Sequence, residues 1–180
     1  MPLLTNTDVY SADATVVNAT TVEHACFGCG TANQQGLHLQ FRALPDGGVW
    51  ATFVPQVVHE GYVGMIHGGI TSTLLDEAMS WAVTHRGDLG VTTRLSVTFR
   101  APLLALQTVV LHGHVDRTTR RTLTTRGEVR DEATGRLLAS ATGEFVRVSP
   151  AQAARWRESY GLTDDSAFAT AMSARAVGSQ

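Results

Sequence analysis

The sequence contains no lysine, and its 14 cationic side chains are all arginine. Together with 16 acidic residues they give a formal net charge of −2, which argues against a general nucleic-acid-binding protein because such proteins are usually basic. No apolar run approaches the ~20 residues of a membrane-spanning helix, and the first residues lack the basic and apolar regions of a signal peptide. We therefore expect a cytoplasmic protein with neither a membrane nor a nucleic acid as partner.

Cysteine is also scarce, since the chain has only Cys26 and Cys29, in the stretch "HACFGCGTAN". Their CxxC spacing supplies half of a zinc site, which needs ~4 ligands, and His24 and His38 are the nearest further candidates. A redox pair would require a thioredoxin-like βαβ context, which the flanking sequence lacks. We expect thiols that pack against the core, and no metal.

The length of 180 residues and the hydrophobic content of 43% suit one globular domain. Residues 1–22 are polar and aperiodic, which predicts a flexible N-terminal arm. Residues 23–149 carry the periodic segments of a domain, and residues 150–180 predict a short helix followed by a frayed tail. Within the domain, the alternating segments "GLHLQFRAL" and "GVWATFVP" flank the turn signal "PDGG" and predict a hairpin.

The segment "GMIHGGITSTLLDEAMSWAV" predicts a long, mostly buried helix from about residue 69 to residue 85, because its apolar residues cover a wide arc of the helical wheel. The remaining polar strip holds Thr73, Asp76, Glu77, Ser80 and Thr84. Three long strand-like segments follow, and the last divides at "DEATG" into two strands. This order predicts an α+β fold in which an antiparallel sheet packs on one helix.

The motif "HGGITSTLLDEA" resembles the signature of hotdog-fold acyl-CoA thioesterases of the PaaI-like (phenylacetic acid degradation) family. The stretches "CFGCGTANQQGLHLQF" and "VTTRLSVTFRAPL" resemble two further blocks, so that the resemblance covers about residues 24 to 148. It implies a curved antiparallel sheet wrapped around one helix, a homodimer or a dimer of dimers, and hydrolysis of acyl-CoA thioesters. No cofactor is implied beyond the coenzyme A of the substrate.

The resemblance also implies catalytic roles. Asp76 would be the catalytic carboxylate, the Gly68 backbone N–H would bind the thioester carbonyl, and Thr92 would place a hydroxyl near the attacking water. His67 would start the helix and shape the loop, with a role as general base as the less favoured alternative.

One position departs from the family pattern. Members often carry an asparagine six residues before the motif histidine, where this chain has Gly61; His59 or a water would then take over its role. The expected substrate-binding residues are His59, Gly61, Gly69, Leu75, Met79, Arg100, Arg120 and Arg121, with the arginines as candidates for the phosphates of coenzyme A.

The residues alone leave alternatives open. Uncovered amides at Gly68 and Gly69 suit an oxyanion, but two glycines also allow a sharp turn into a helix. Asp76 also fits a solvated helix face. If Gly68 and Asp76 both act on one carbonyl, they must come from different subunits, because eight residues separate them by ~12 Å along the helix.

The mechanism and the function class have alternatives as well. Asp76 would act as a general base on water, or as a nucleophile that forms an anhydride. The alternatives to an acyl-CoA thioesterase are a non-catalytic acyl-thioester binding protein, a thioesterase acting on an acyl-carrier protein and, less favoured, a hotdog dehydratase or hydratase.

Overall fold

The computed structural model describes residues 10–11, 13–19 and 22–162. A six-stranded antiparallel sheet has the strand order β1-β2-β6-β7-β8-β5, and β3 and β4 form a separate small hairpin. The strands are β1 Arg42–Ala43, β2 Val49–Phe53, β3 Glu60–Tyr62, β4 Met65–Ile66, β5 Gly90–Phe99, β6 Val109–Thr118, β7 Thr122–Asp131 and β8 Leu137–Arg147; the helices are α1 Gly68–His85 and α2 Pro150–Tyr160. The predicted α+β architecture, with a curved antiparallel sheet around a central helix, is confirmed.

Helix α1 packs on the inner face of the sheet and supplies the centre of the core. Its side chains Leu74, Leu75, Ala78 and Met79 are completely buried. The predicted helix begins one residue too late, because Gly68 is already helical and His67 is the N-cap. The central strands β6 and β7 lie directly under the helix, and this packing fixes the height of α1 above the sheet.

Gly113 of β6 is a point of close approach between the sheet and the helix. A Cβ atom added at Gly113 would lie 2.0 Å from the carbonyl oxygen of Ala78. Since that oxygen belongs to the helix backbone, no rotamer change can relieve the contact. The "HGH" sequence of β6 therefore serves helix–sheet packing.

The first hairpin is shorter than predicted, although its inward-facing residues Leu37, Leu39 and Phe41 are buried as the alternation indicated. Only β1 and β2 are paired there as strands. The backbone just before β1 bonds the Asn18 side chain instead. This side chain donates to the Leu39 carbonyl at 2.7 Å and accepts from the Phe41 N–H at 2.7 Å.

The described part of the predicted arm is therefore attached to the domain. Val17 is buried in the main core, and Tyr10 packs on Trp50 with ring centroids 5.1 Å apart. Residues 1–9, 12 and 20–21, like the tail expected from 163 onward, lie outside the described residues.

Two other segments complete the fold. The predicted C-terminal helix is α2, and the glycine-rich loop before α1 contains a 3-10 turn at Val57–His59 together with the β3–β4 hairpin. No helix in the described ranges is both long enough and apolar enough to cross a bilayer.

Candidate active site

Asp76 lies partly buried in the middle of α1, next to the beginning of β5. The Thr92 hydroxyl donates a hydrogen bond to Asp76 Oδ1 at 2.8 Å. Burial raises the pKa of Asp76, and the Thr92 hydrogen bond opposes that shift. The carboxylate is therefore oriented by one hydroxyl and partly removed from water, which suits a base or a nucleophile.

The first turn of α1 presents one backbone N–H group rather than two. As the first helical residue, Gly68 has an N–H that no carbonyl of the helix can accept. The Gly69 N–H, in contrast, donates to Nδ1 of the capping His67 ring at 2.9 Å. The expectation that both glycine amides are uncovered is therefore wrong for Gly69 and stays a prediction for Gly68.

A cavity of about 490 Å³ opens beside Gly68. Its wall combines the β3–β4 hairpin, the start of α1 and the end of β5, and its lining includes Gly61, His67, Gly68, Phe99 and Arg100. The Phe99 ring lies against Gly68, since a Cβ there would be 3.5 Å from the ring. Asp76 is not among the lining residues, so one chain does not bring both candidate groups to one cavity.

Gly61 and His59 occupy different places around this loop. Gly61 faces His67, because a Cβ at Gly61 would lie 3.1 Å from the ring carbon Cδ2 of His67. The His59 ring turns away toward the 3-10 turn, where its Nδ1 accepts the Gln56 N–H at 3.0 Å and the ring contacts Phe53. His59 is not among the residues that line the cavity.

Leu75 and Met79 belong to the core rather than to the cavity. Both are fully buried, and their side chains face the sheet at Gly127, where an added Cβ would be 3.3 Å from Leu75 Cδ2 and 3.2 Å from Met79 Cγ. Because neither side chain is exposed, the structure does not support their expected role in binding the acyl group. The helical wheel indicated that both residues are buried, but it could not show which residues they contact.

The three candidate arginines lie at opposite ends of the sheet. Arg100 lines the cavity at the Phe99 end of β5. Arg120 and Arg121 belong to the exposed turn between β6 and β7. The first residue of β7 pairs with Val146 of β8, and Val146 pairs with Val91 of β5. This turn therefore lies at the end of the sheet where Thr92 is found.

Glu77 is a residue that the sequence analysis left on the exposed strip. It is covered by the Cys26–Gly30 loop, and its Oε1 accepts the indole N–H of Trp81 at 3.0 Å and lies 3.8 Å from Cys26 Sγ. Burial raises the pKa of Glu77 to about 7. The Glu77–Trp81 spacing of four residues was visible in the sequence, but the loop that covers the pair was not.

Comparison with known proteins relates this site to one family. Residues 63–138 match the family described as "Thioesterase superfamily". Human acyl-coenzyme A thioesterase 13 is 31% identical over 83 residues, which cover 45% of this chain and 59% of that protein. Bovine acyl-coenzyme A thioesterase THEM4 is 29% identical over 91 residues, which cover 51% of this chain and 37% of that protein. The matched part thus spans about half the length of these curated relatives.

Solved structures agree. A thioesterase superfamily protein of known crystal structure is 30% identical, with a TM-score of 0.61 over 63% of this chain and 56% of that one. The Escherichia coli PaaI protein, at 19% identity, has a TM-score of 0.58 over 63% of this chain and 81% of its own, and this likeness shows the fold. The chain therefore has the hotdog fold of these thioesterases, and its residues 63–138 match the thioesterase superfamily.

Proposed function

We propose that this protein hydrolyses acyl-CoA thioesters to a free acid and coenzyme A. The observation that carries the proposal is the partly buried Asp76 carboxylate, which accepts a hydrogen bond from Thr92 and lies on the helix whose first residue, Gly68, lines a cavity. These elements lie inside the segment that matches the thioesterase superfamily. The names of the curated relatives, which are acyl-coenzyme A thioesterases, support coenzyme A as the thiol carrier.

The active site would be shared between two chains. Gly68 and Asp76 are eight residues apart on one helix, a separation of ~12 Å, whereas groups that act on one carbonyl must lie within ~3.5 Å of the reacting atoms. A second chain solves this problem if it supplies one of the two groups.

The edge strand β5 offers the geometry for such a dimer. In the described sheet it pairs with β8 on one side only. Thr92 marks the end of β5 that holds Asp76, and Phe99 marks the end that contacts Gly68. Antiparallel pairing of two β5 strands reverses one of them, so that Gly68 of the partner subunit would approach Asp76.

Exposed apolar side chains around the cavity support a covered surface. Tyr62 is 80% exposed and Val63 is 98% exposed, and Val58, Phe99 and Leu106 are exposed close by. Large exposed apolar surfaces are rare on monomeric proteins, and an obligate dimer would bury these side chains.

In the proposed mechanism Asp76 removes a proton from water as the water attacks the thioester carbonyl. The partner subunit's Gly68 donates its N–H to the developing oxyanion, supported by the positive end of the helix dipole. Direct attack by Asp76 to form an anhydride is the alternative. His67 has a positioning role, because its Nδ1 caps the helix by accepting the Gly69 N–H.

Arginines at the two ends of the sheet would meet in the same dimer. Arg100 of one chain and the Arg120–Arg121 turn of the other would lie near one composite site, where planar guanidinium groups suit the phosphates of coenzyme A. A hypothetical thioesterase from Streptococcus pneumoniae, whose structure was solved with coenzyme A, shares the fold at 22% identity.

The test is thiol release from aromatic, short-chain and medium-chain acyl-CoAs by wild type and Asp76→Asn. Loss of a general base typically costs about 10²- to 10⁴-fold, so we expect at least a ~100-fold lower kcat/KM for the variant. Ser80→Ala, one turn further along the same strip, is the control and should retain wild-type activity. Equal rates for wild type and Asp76→Asn would refute the assignment, and wild type that binds but cleaves none of the panel would favour a non-catalytic acyl-thioester binder.

A further inference from the structure

A second cluster of chemically active side chains lies on α1, outside the cavity at Gly68. The Sγ atoms of Cys26 and Cys29 and a carboxylate oxygen of Glu77 all lie within 4.8 Å of one another. None of the three lines the cavity. Because Glu77 is rotated ~100° from Asp76 around the helix, its carboxylate faces the Cys26–Gly30 loop, while Asp76 faces β5.

The Cys26–Gly30 loop is a compact turn built around the Cys26 sulfur. The Gly30 N–H closes the turn on the Cys26 carbonyl at 2.9 Å. The turn brings the Cys26 and Cys29 sulfurs together beside Glu77. A cysteine binds metals as its thiolate.

Glycine is required at two positions of this loop. A Cβ at Gly28 would lie 2.4 Å from the Glu77 carboxyl carbon, and one at Gly30 would lie 2.3 Å from the His24 carbonyl oxygen. The loop can therefore press both sulfurs against Glu77 only because neither position carries a side chain.

Hydrogen bonds from a neighbouring tryptophan orient the side chains of the cluster. The Trp81 indole N–H donates to Glu77 Oε1 at 3.0 Å and lies 3.4 Å from Cys29 Sγ. Hydrogen bonds of this kind orient metal ligands from outside. None of the ion pairs found between described residues includes Glu77, so its carboxylate lies beside the two sulfurs without a salt bridge to a basic side chain there.

We propose that Cys26, Cys29 and Glu77 bind one Zn²⁺ ion. Two thiolates and one carboxylate are ligands that Zn²⁺ accepts in a tetrahedral site, whereas Mg²⁺ and Ca²⁺ prefer oxygen ligands alone. Water would fill the fourth position, because the described residues supply only these three ligand atoms to the group. Contrary to the expectation of packing thiols, the ion would fasten the loop to α1 by replacing thiol protons with metal bonds.

The site is independent of the proposed hydrolysis, so its test does not use activity. The full chain is purified, stripped with a chelator under reducing conditions and titrated with Zn²⁺, and bound metal is measured by mass spectrometry. Wild type should bind one Zn²⁺ per chain, and Co²⁺ in its place should show thiolate-to-metal absorption in the near ultraviolet. Thermal unfolding should shift to higher temperature with Zn²⁺, since a ligand of the native state stabilises it.

Variants assign the ligands. Cys26→Ser, Cys29→Ser and Glu77→Gln should each weaken Zn²⁺ affinity more than ~10-fold, because even outer-shell partners are worth that much. The matched control is Asp76→Asn, which changes the neighbouring carboxylate and should bind Zn²⁺ like wild type.

Wild type that takes up no Zn²⁺ although both thiols react with a thiol reagent would overturn the proposal. Cysteine variants that bind Zn²⁺ as tightly as wild type would do the same. The wild-type titration decides the matter even if a variant fails to fold.

Discussion

At the scale of single residues, the contact between Thr92 and Asp76 is the clearest feature of the candidate active site. The two residues are 16 positions apart in the sequence and 2.8 Å apart in the structure. A hydrogen bond to a charged group contributes about 1.5–3 kcal/mol, so the Thr92 hydroxyl is expected to hold the carboxylate ionised and pointed at the substrate.

Removing this hydroxyl should slow the reaction. Thr92→Val keeps the shape of the side chain but cannot donate, so we expect kcat/KM to fall by about 10-fold or more. Thr92→Ser keeps the donor and should restore most of the rate. Steady-state kinetics of the two variants decide this, and a Val variant as fast as wild type would mean that Asp76 needs no such support.

At the residue level, the sequence pointed to candidate groups through a motif, whose catalytic roles stay a prediction, but it did not show the environment of each side chain. The family resemblance pointed to Asp76 and Thr92, and the structure brings their side chains together. The helical wheel placed Glu77 on a solvated strip, because the wheel contains no information about a loop 51 residues earlier in the chain. The same limit applies to Leu75 and Met79, whose burial was evident but whose neighbours were not.

At the scale of secondary-structure elements, the distance between α1 and the sheet is set by Gly113. The helix and the four long strands β5–β8 follow from local periodicity and were predicted from it. The short length of β1 was not predicted. Asn18 and Val17 come from another part of the chain, and they form hydrogen bonds with the segment that would have extended β1.

Alanine at Gly113 should be strongly destabilising. Its Cβ would meet a backbone oxygen at 2.0 Å, and overpacking of this kind costs ~3 kcal/mol or more. Gly127→Ala is the matched control, because its added Cβ would lie 3.2 Å from Met79 Cγ and 3.3 Å from both Cδ2 and the carbonyl oxygen of Leu75, which are much milder contacts, and we expect a loss of only ~1 kcal/mol. Urea unfolding measures both free energies, and equal losses would contradict this account.

At the scale of the whole molecule, the sheet is covered on both faces. Helix α1 covers the inner face, and a small cluster of Tyr10, Leu44, Trp50 and Val110 covers part of the outer one. His112 lies in this outer cluster with its ring 5.2 Å from that of Tyr10. Residues 1–22 were expected to form a flexible arm, and nothing in this polar, aperiodic segment indicated that Tyr10 docks on the sheet.

This buried histidine should make stability sensitive to acid. Burial lowers the pKa of His112 from 6.5 to about 4, so between these values the unfolded chain binds a proton that the folded one excludes. Stability is then fully present above pH 6.5 and falls by up to roughly 3 kcal/mol as the pH drops to about 4.

Urea unfolding at several pH values tests this dependence. His112→Gln should flatten the decline between pH 6.5 and 4, while His38→Asn, at an exposed histidine, should leave it as steep as in wild type. An unchanged slope in His112→Gln would show that other groups cause the acid sensitivity.

The account depends most on a site shared by two chains, and complementation between inactive variants tests this directly. Gly68→Pro removes the proposed oxyanion donor at the first helical position, where proline is well tolerated, and Asp76→Asn removes the carboxylate. Each variant alone should lose ~100-fold or more in kcat. Unfolding and refolding the two together should restore about a quarter of wild-type activity, because half of the dimers are mixed and each mixed dimer has one intact composite site. A mixture as inactive as its components would contradict the shared site.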